Sequence, residues 1–238
     1  MNQIGICGFG FVGQAVYNNL KIKQAVIYDP KYNDYKKRET LLYCDYIFVC
    51  VPTPLNEDGY LDSSYVNDTL EYLGDYNYNG TIILKSTIHP KYMKETSLNI
   101  VSNPEFLNEH SANDDFKNQK LVILGGRADL CNKVKDLYEN SFNIKAEYEI
   151  MSFNEALIFK YVRNIKIAYE VMFWEFINDT TGNYRKFNRL LDKLPIKVNS
   201  ISLDGQRGFG GSCLPKDTAA YPKHTLTKFL LDYNNSIR

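Results

Sequence analysis

The sequence predicts an α/β fold, a Rossmann-type doubly wound parallel sheet followed by an all-α central domain. Three features predict it. Short apolar runs alternate with amphipathic stretches up to about residue 150. The first run leads directly into G-x-G-x-x-G. Past residue 151 the strand pattern gives way to a long helical one, so the predicted domains are 1–150 and 151–238.

The apolar runs fall at residues 4–7, 25–28, 46–51, 81–84, 100–102 and 121–124, with amphipathic stretches such as 64–73 and 130–138 between them. Strands that alternate with helices pair in parallel, and ligands gather at the carboxyl ends of such strands. Gly8, Asp29, Thr53, Thr87 and Glu105 each stand just after a run, at that edge. Gly8 permits a tight turn, Gly10 lets a pyrophosphate approach the backbone, and Gly13 lets the following helix pack closely on the strand. The helix that opens with Phe11 and Val12 offers unpaired N–H groups to phosphate. Asp29 ends the second run, where an acid accepts both hydroxyls of a ribose and repels a 2′-phosphate. The expected cofactor is NAD, with Lys31 a nearby cation.

Beyond residue 151, Ser152-Phe153-Asn154-Glu155 reads as a capping box. A helix is expected from there to about Asn178, stopped near Gly182, and on the order of 40 Å long at 1.5 Å per residue. It carries Ile158, Tyr161, Ile165, Ala168, Tyr169, Met172, Phe173 and Phe176, enough apolar surface to imply burial against a second domain or subunit. A shorter helix at 184–194, a Gly-rich loop and a last helix at 218–233 complete the expected domain.

Composition narrows the function. Basic and acidic side chains balance at 28 each, which gives no global pull toward nucleic acid or an anionic membrane. No run approaches the roughly 20 apolar residues of a membrane span, and the N-terminus enters a strand directly, so neither a membrane anchor nor a signal peptide is expected. The five cysteines are scattered without a C-x-x-C pair and read as reduced thiols of a cytoplasmic protein. His89, His110 and His224 lack metal-ligand spacing, so no metal site is expected.

The most chemically loaded run is Gly208-Phe209-Gly210-Gly211-Ser212-Cys213-Leu214-Pro215-Lys216-Asp217. Cys213 stands beside flexible backbone where a substrate carbon can reach it, and nearby cations favour its thiolate. By itself the same run also describes a buried structural thiol at a helix start. Lys160 and Asn164 are four apart and share a helix face, either as a converging pair or as solvated surface.

Taken together, the motifs resemble those of the UDP-glucose/GDP-mannose dehydrogenase family, in order along nearly the whole chain. The glycine turn, Val51-Pro52-Thr53-Pro54, Lys85-Ser86-Thr87, Asn103-Pro104-Glu105-Phe106-Leu107-Asn108-Glu109, the Lys160/Asn164 pair and the cysteine loop carry the likeness. The resemblance implies an enzyme that oxidises a nucleotide sugar, UDP-glucose to UDP-glucuronate, with two NAD and a covalent cysteine intermediate. By that likeness Cys213 is the nucleophile, and Lys160 with Asp217 handles an ordered water that takes the alcohol proton. Lys160 with Asn164 steadies the oxyanion, and Glu109 and Thr87 orient the hydrolytic water. Glu105, Phe106, Leu107, Phe209 and Gly210 line the sugar site, and a homodimer forms through the long helix.

Several positions depart from the family pattern. Asn108 and His110 replace its Arg and Gly, a Gly after K-S-T-x-P is missing, and Lys197 stands where some members place an arginine. The segment 29–46 is trimmed, and the resemblance implies a short form lacking the family's C-terminal UDP-binding domain. A non-catalytic NAD or nucleotide-sugar binding module, half of a two-chain enzyme, and a cysteine-independent hydroxyacid dehydrogenase remain alternatives on sequence alone.

Overall fold

The computed structural model describes residues 2–35, 37–57, 59, 61–194, 207–209, 214–220 and 225–237. The chain divides into two compact units, Met1–Asn164 and Ile165–Arg238.

The first unit is built on a seven-stranded sheet of β1 (Ile4–Cys7), β2 (Val26–Tyr28), β3 (Tyr46–Val49), β4 (Thr81–Leu84), β5 (Ile100–Ser102), β6 (Leu121–Gly125) and β7 (Glu147–Met151). Their order is β2-β1-β3-β4-β5-β6-β7. The central strands are apolar at almost every position, with Thr81 and Ser102 the polar exceptions, because both faces are covered. Ile6, Phe48 and Ile83 point into one core with α1 (Phe11–Asn19), α3 (Ala112–Asn118) and α4 (Ala128–Ser141). Their neighbours Cys7, Ile47 and Ile82 point into the other, against α2 (Ser64–Asp75), whose Val66, Leu70 and Leu73 are buried.

The doubly wound sheet is parallel apart from one junction: β5 and β6 are antiparallel, joined by the single pair Ser102↔Gly125. After β5 the chain runs as an irregular segment at the strand ends before α3 begins, and α3 packs along α1. One helix of seven residues advances the chain only about 10 Å. It therefore enters β6 from the edge at which it left β5, and β7 pairs parallel with β6. β7 is absent from the expected strands because Glu147 and Glu149 are exposed, and its sequence lacks an apolar run.

The capping box forms as read: Ser152 N–H donates to Glu155 Oε2 at 3.0 Å, and Glu155 N–H donates to Ser152 Oγ at 3.3 Å. It starts α5 (Phe153–Thr181), whose first residues belong to the first unit. Gly125 admits this helix: a Cβ there would fall 2.9 Å from Ser152 O and closer still to Ala156 Cβ.

In the second unit α5 ends at Gly182, which takes φ +67° and donates its N–H to Asn178 O. Asn183 then caps α6 (Tyr184–Leu191) by accepting from Lys186 N–H. The single last helix expected at 218–233 is replaced by α7 (Leu214–Ala220) and α8 (Thr225–Ile237). No described helix is long and apolar enough to cross a membrane.

Candidate active site

The site grows from the end of β1. Gly8 takes φ +91°, and a Cβ on it would stand 2.6 Å from Cys50 O. A Cβ on Gly13 would overlap Gly8 O, so the helix can pack this closely only without one. A Cβ on Gly10 meets nothing within 4 Å. Gly10 is the N-cap of α1, with no side-chain cap and no acid in the first turn. The helix therefore points N–H groups at open space, which fits a diphosphate. Phe9 N–H donates to Asp29 Oδ2 at 2.6 Å and Lys31 N–H to Oδ1 at 2.8 Å, which fixes the carboxylate while leaving it lone pairs for ribose hydroxyls.

A cavity of about 560 Å³ gathers Gly8, Gly10, Phe11, Val12, Asp29, Thr53, Thr87 and Glu105, while Gly13 is buried beneath it. Most of the residues expected for the cofactor thus line one space at the carboxyl ends of β1–β4. A larger recess of about 810 Å³ lies at the other end of the strands, lined by residues such as Gln3, Leu20 and Val26, and contains none of them.

Glu105 links the cavity to α5. Its Oε1 lies 2.7 Å from Lys160 Nζ, with only a tenth of each side chain exposed, and its Oε2 accepts from Leu107 N–H at 2.7 Å. Lys160 Nζ also donates to the Glu105 carbonyl at 2.6 Å. Phe106 lies edge-on to Phe159 at 5.8 Å, with Arg163 over its face at 5.3 Å. Asn164, one turn beyond Lys160, is exposed and accepts from Arg163 at 3.2 Å. Glu109 is exposed on the segment before α3, where Asp115 accepts from Asn108 N–H and Ser111 Oγ–H.

A buried polar cluster behind these residues escaped the sequence reading. Lys85 is 3 % exposed and donates to Asn103 Oδ1 at 2.9 Å and Asn103 O at 3.3 Å, with Tyr138 OH at 3.5 Å. Tyr138 OH donates to Asn103 Oδ1 at 2.6 Å, and Asn103 Nδ2 donates to Ile123 O at 2.9 Å. Burial pushes the Lys85 amine down to about 8. Lys85 and Asn103 each stand in a run that carries the family likeness; nothing in the sequence marked Tyr138 as their partner.

In the second unit Gly208 takes φ +77°, and buried Asn234 of α8 clamps Phe209: Phe209 N–H donates to Asn234 Oδ1 at 2.7 Å, and Asn234 Nδ2 donates to Phe209 O at 3.1 Å. Nothing in the sequence of α8 singled out the first of its two asparagines, Asn234 and Asn235. Asp217 is exposed on α7, with Lys216 Nζ at 3.4 Å. Cys213, Gly210, Lys197 and His224 lie outside the described residues.

A glycine turn on an uncapped helix, a ribose-directed acid and a cavity at the strand ends define a Rossmann-type dinucleotide-binding protein. Residues 24–142, half of the chain, match the NAD-binding domain of the UDP-glucose/GDP-mannose dehydrogenase family, and the chain belongs to that family. UDP-glucose 6-dehydrogenase of Rickettsia felis is 30% identical over 191 residues, covering 73% of this chain and 42% of that one. UDP-glucose 6-dehydrogenase TuaD of Bacillus subtilis is 29% identical over 198 residues, covering 74% and 41%. The chain spans under half the length of these curated relatives. Among solved structures, GDP-mannose dehydrogenase from Pseudomonas aeruginosa shares the fold with a TM-score of 0.80 at 19% identity, covering 99% of this chain and 69% of that one. UDP-glucose dehydrogenase from Pyrobaculum islandicum gives 0.68 at 22%, covering 99% and 68%.

Proposed function

We propose that the protein oxidises the primary alcohol of a nucleotide sugar, UDP-glucose to UDP-glucuronate, through a covalent intermediate on Cys213. The observation that carries this reading is the Lys160–Glu105 pair, which sets a nearly buried ammonium beside the cavity of the glycine turn and Asp29. NAD, bound through Gly8, Gly10, Phe11, Val12, Gly13, Asp29, Thr53 and Thr87, supplies a hydride acceptor for each of two oxidations.

Lys160 and Asp217 hold the water that takes the alcohol proton as the first hydride leaves, giving an aldehyde. The Cys213 thiolate adds to the aldehyde carbon to form a thiohemiacetal, whose oxyanion Lys160 and Asn164 steady. Loss of the second hydride leaves a thioester. Water oriented by Thr87 and Glu109 then breaks the C–S bond, releasing the carboxylate and the free thiol. Glu105, Phe106, Leu107, Phe209 and Gly210 position the sugar. The tether keeps a reactive aldehyde from escaping between oxidations.

The homodimer belongs to the same reading, supported by exposed Ile165, Val171 and Met172 on α5. So does a cytoplasmic location, supported by Cys7, Cys44, Cys50 and Cys131, all free thiols. The domain division at 1–150 and 151–238 is retained as part of the proposal.

The test is absorbance at 340 nm with UDP-glucose and NAD, wild type beside Cys213→Ser. Two NADH per sugar, lost in the variant, is the expected result. Bound NAD without turnover refutes the enzyme reading for this chain and favours a binding module or half of a two-chain enzyme.

A further inference from the structure

Lys85 is a buried cation that the proposed chemistry leaves unused. It lines the same cavity as Glu105 and Thr87. Its hydrogen bonds go to neutral acceptors, the amide and carbonyl oxygens of Asn103 and the phenol of Tyr138. Among the described residues no carboxylate forms an ion pair with it. The groups that face it are Cys50 past β3, Phe116 of α3, Tyr138 of α4, Glu105 past β5 and Lys160 of α5. Burial pushes the Cys50 thiol up to about 12 and the Tyr138 phenol well above its ordinary range, so both stay neutral. Glu105 is already paired with Lys160. The β4–β5 end of the cavity therefore carries an uncompensated positive charge, whereas the opposite end holds Asp29, with Asp68 paired to Arg38 at 2.9 Å.

This polarity bears on the cofactor. The acid at β2 marks the adenosine ribose and the glycine turn at β1 marks the pyrophosphate, so the other half of the dinucleotide is directed along the order β1-β3-β4-β5. That half carries the nicotinamide ring, which is cationic when oxidised and neutral when reduced. We propose that Lys85 is a specificity-determining residue for the oxidation state of the cofactor, disfavouring bound NAD⁺ relative to NADH and so biasing the site toward hydride acceptance. The inference rests on the NAD site but not on the identity of the sugar. A tenfold change in an affinity corresponds to about 1.4 kcal/mol, within reach of one buried like charge acting on another.

The experiment is titration with NAD⁺ and NADH of the wild-type chain, Lys85→Met and Lys85→Arg, from pH 6.5 to 9.5. The ratio of the two dissociation constants, Kd for NAD⁺ over Kd for NADH, should fall about tenfold in Lys85→Met and persist in Lys85→Arg. In the wild type the ratio should fall as pH rises past about 8, where Lys85 loses its proton. A structural role for Lys85 would weaken both nucleotides together; an unchanged ratio in Lys85→Met overturns the proposal. Should that variant fail to fold, a ratio independent of pH in the wild type overturns it as well. Wild-type protein that binds neither nucleotide refutes the cofactor site itself, an outcome distinct from a fault in the role of Lys85.

Discussion

Alanine at Gly8 and at Gly10 should separate folding from binding. At Gly8 the backbone sits at φ +91°, a left-handed conformation that costs an L-residue about 1–2 kcal/mol. The new Cβ would also lie 2.6 Å from Cys50 O, 2.7 Å from Cys50 C and 2.9 Å from Val51 N. All three are backbone atoms at the end of β3 and cannot swing aside, so a further overpacking cost of about 1–3 kcal/mol applies. A total of about 3 kcal/mol lowers a urea midpoint by about 1–1.5 M for a slope of 2–3 kcal/mol/M. Gly10 differs on both counts. Its φ of −72° and ψ of −166° suit alanine, and its Cβ would meet no protein atom within 4 Å. Gly10→Ala should change stability by under about 1 kcal/mol, because reduced unfolded-state entropy offsets the poorer N-cap. Its methyl would stand where the pyrophosphate must approach, and NAD affinity should drop at least about tenfold. Urea unfolding followed by circular dichroism, with NAD titration of both variants, reads out each effect. Equal stability of the two variants, or undiminished NAD binding by Gly10→Ala, would refute the reasoning.

Three further outcomes are expected. Glu105→Gln keeps an acceptor but removes the charge beside Lys160, lowering stability by about 2 kcal/mol; a double-mutant cycle with Lys160→Met that shows simple additivity would deny the coupling. Asn234→Ala removes two partly buried hydrogen bonds from Phe209, and amide exchange at Phe209 should quicken about tenfold or more; unaltered exchange would mean that Asn234 does not hold the loop. Burial pushes Cys7 and Cys44 up to about 11 and Cys50 up to about 12, from an ordinary 9. Above pH 9 the unfolded chain therefore loses protons that the folded chain keeps, and these thiols make stability fall as pH rises toward 11. For the same reason iodoacetamide at pH 8 should label Cys213 well before Cys50; equal rates in peptide mapping would contradict the assignment of nucleophile.

Local chemistry was the legible part of this protein. An apolar tetrapeptide running into three spaced glycines fixes a strand, a turn and a helix between Ile4 and Asn19, and Ser152 with Glu155 fixes where α5 starts. What escaped depends on contacts distant in sequence. β7 is held by pairing with β6 rather than by its own apolarity, and the reversal at β5 reflects how α3 packs on α1. Lys85 meets Tyr138 across 53 residues and Phe209 meets Asn234 across 25, so neither pairing has a local pattern. Glu105 was expected at the sugar; its ion pair with Lys160 across 55 residues ties the sheet to α5, a role only the fold reveals.

The antiparallel junction has a mechanical consequence. Every other neighbouring pair of strands is registered over at least three residues, whereas β5 and β6 meet at Ser102↔Gly125 alone. That seam is sewn by side chains instead, with Asn103 reaching Ile123 O while Tyr138 and Lys85 both donate to Asn103 Oδ1. A sheet pulled or heated should part there first, since three side chains replace a backbone ladder. Asn103 and Glu105 are only one proline apart, so parting the seam also releases the carboxylate that holds Lys160. The fracture line of the domain and its reactive edge are the same stretch of chain.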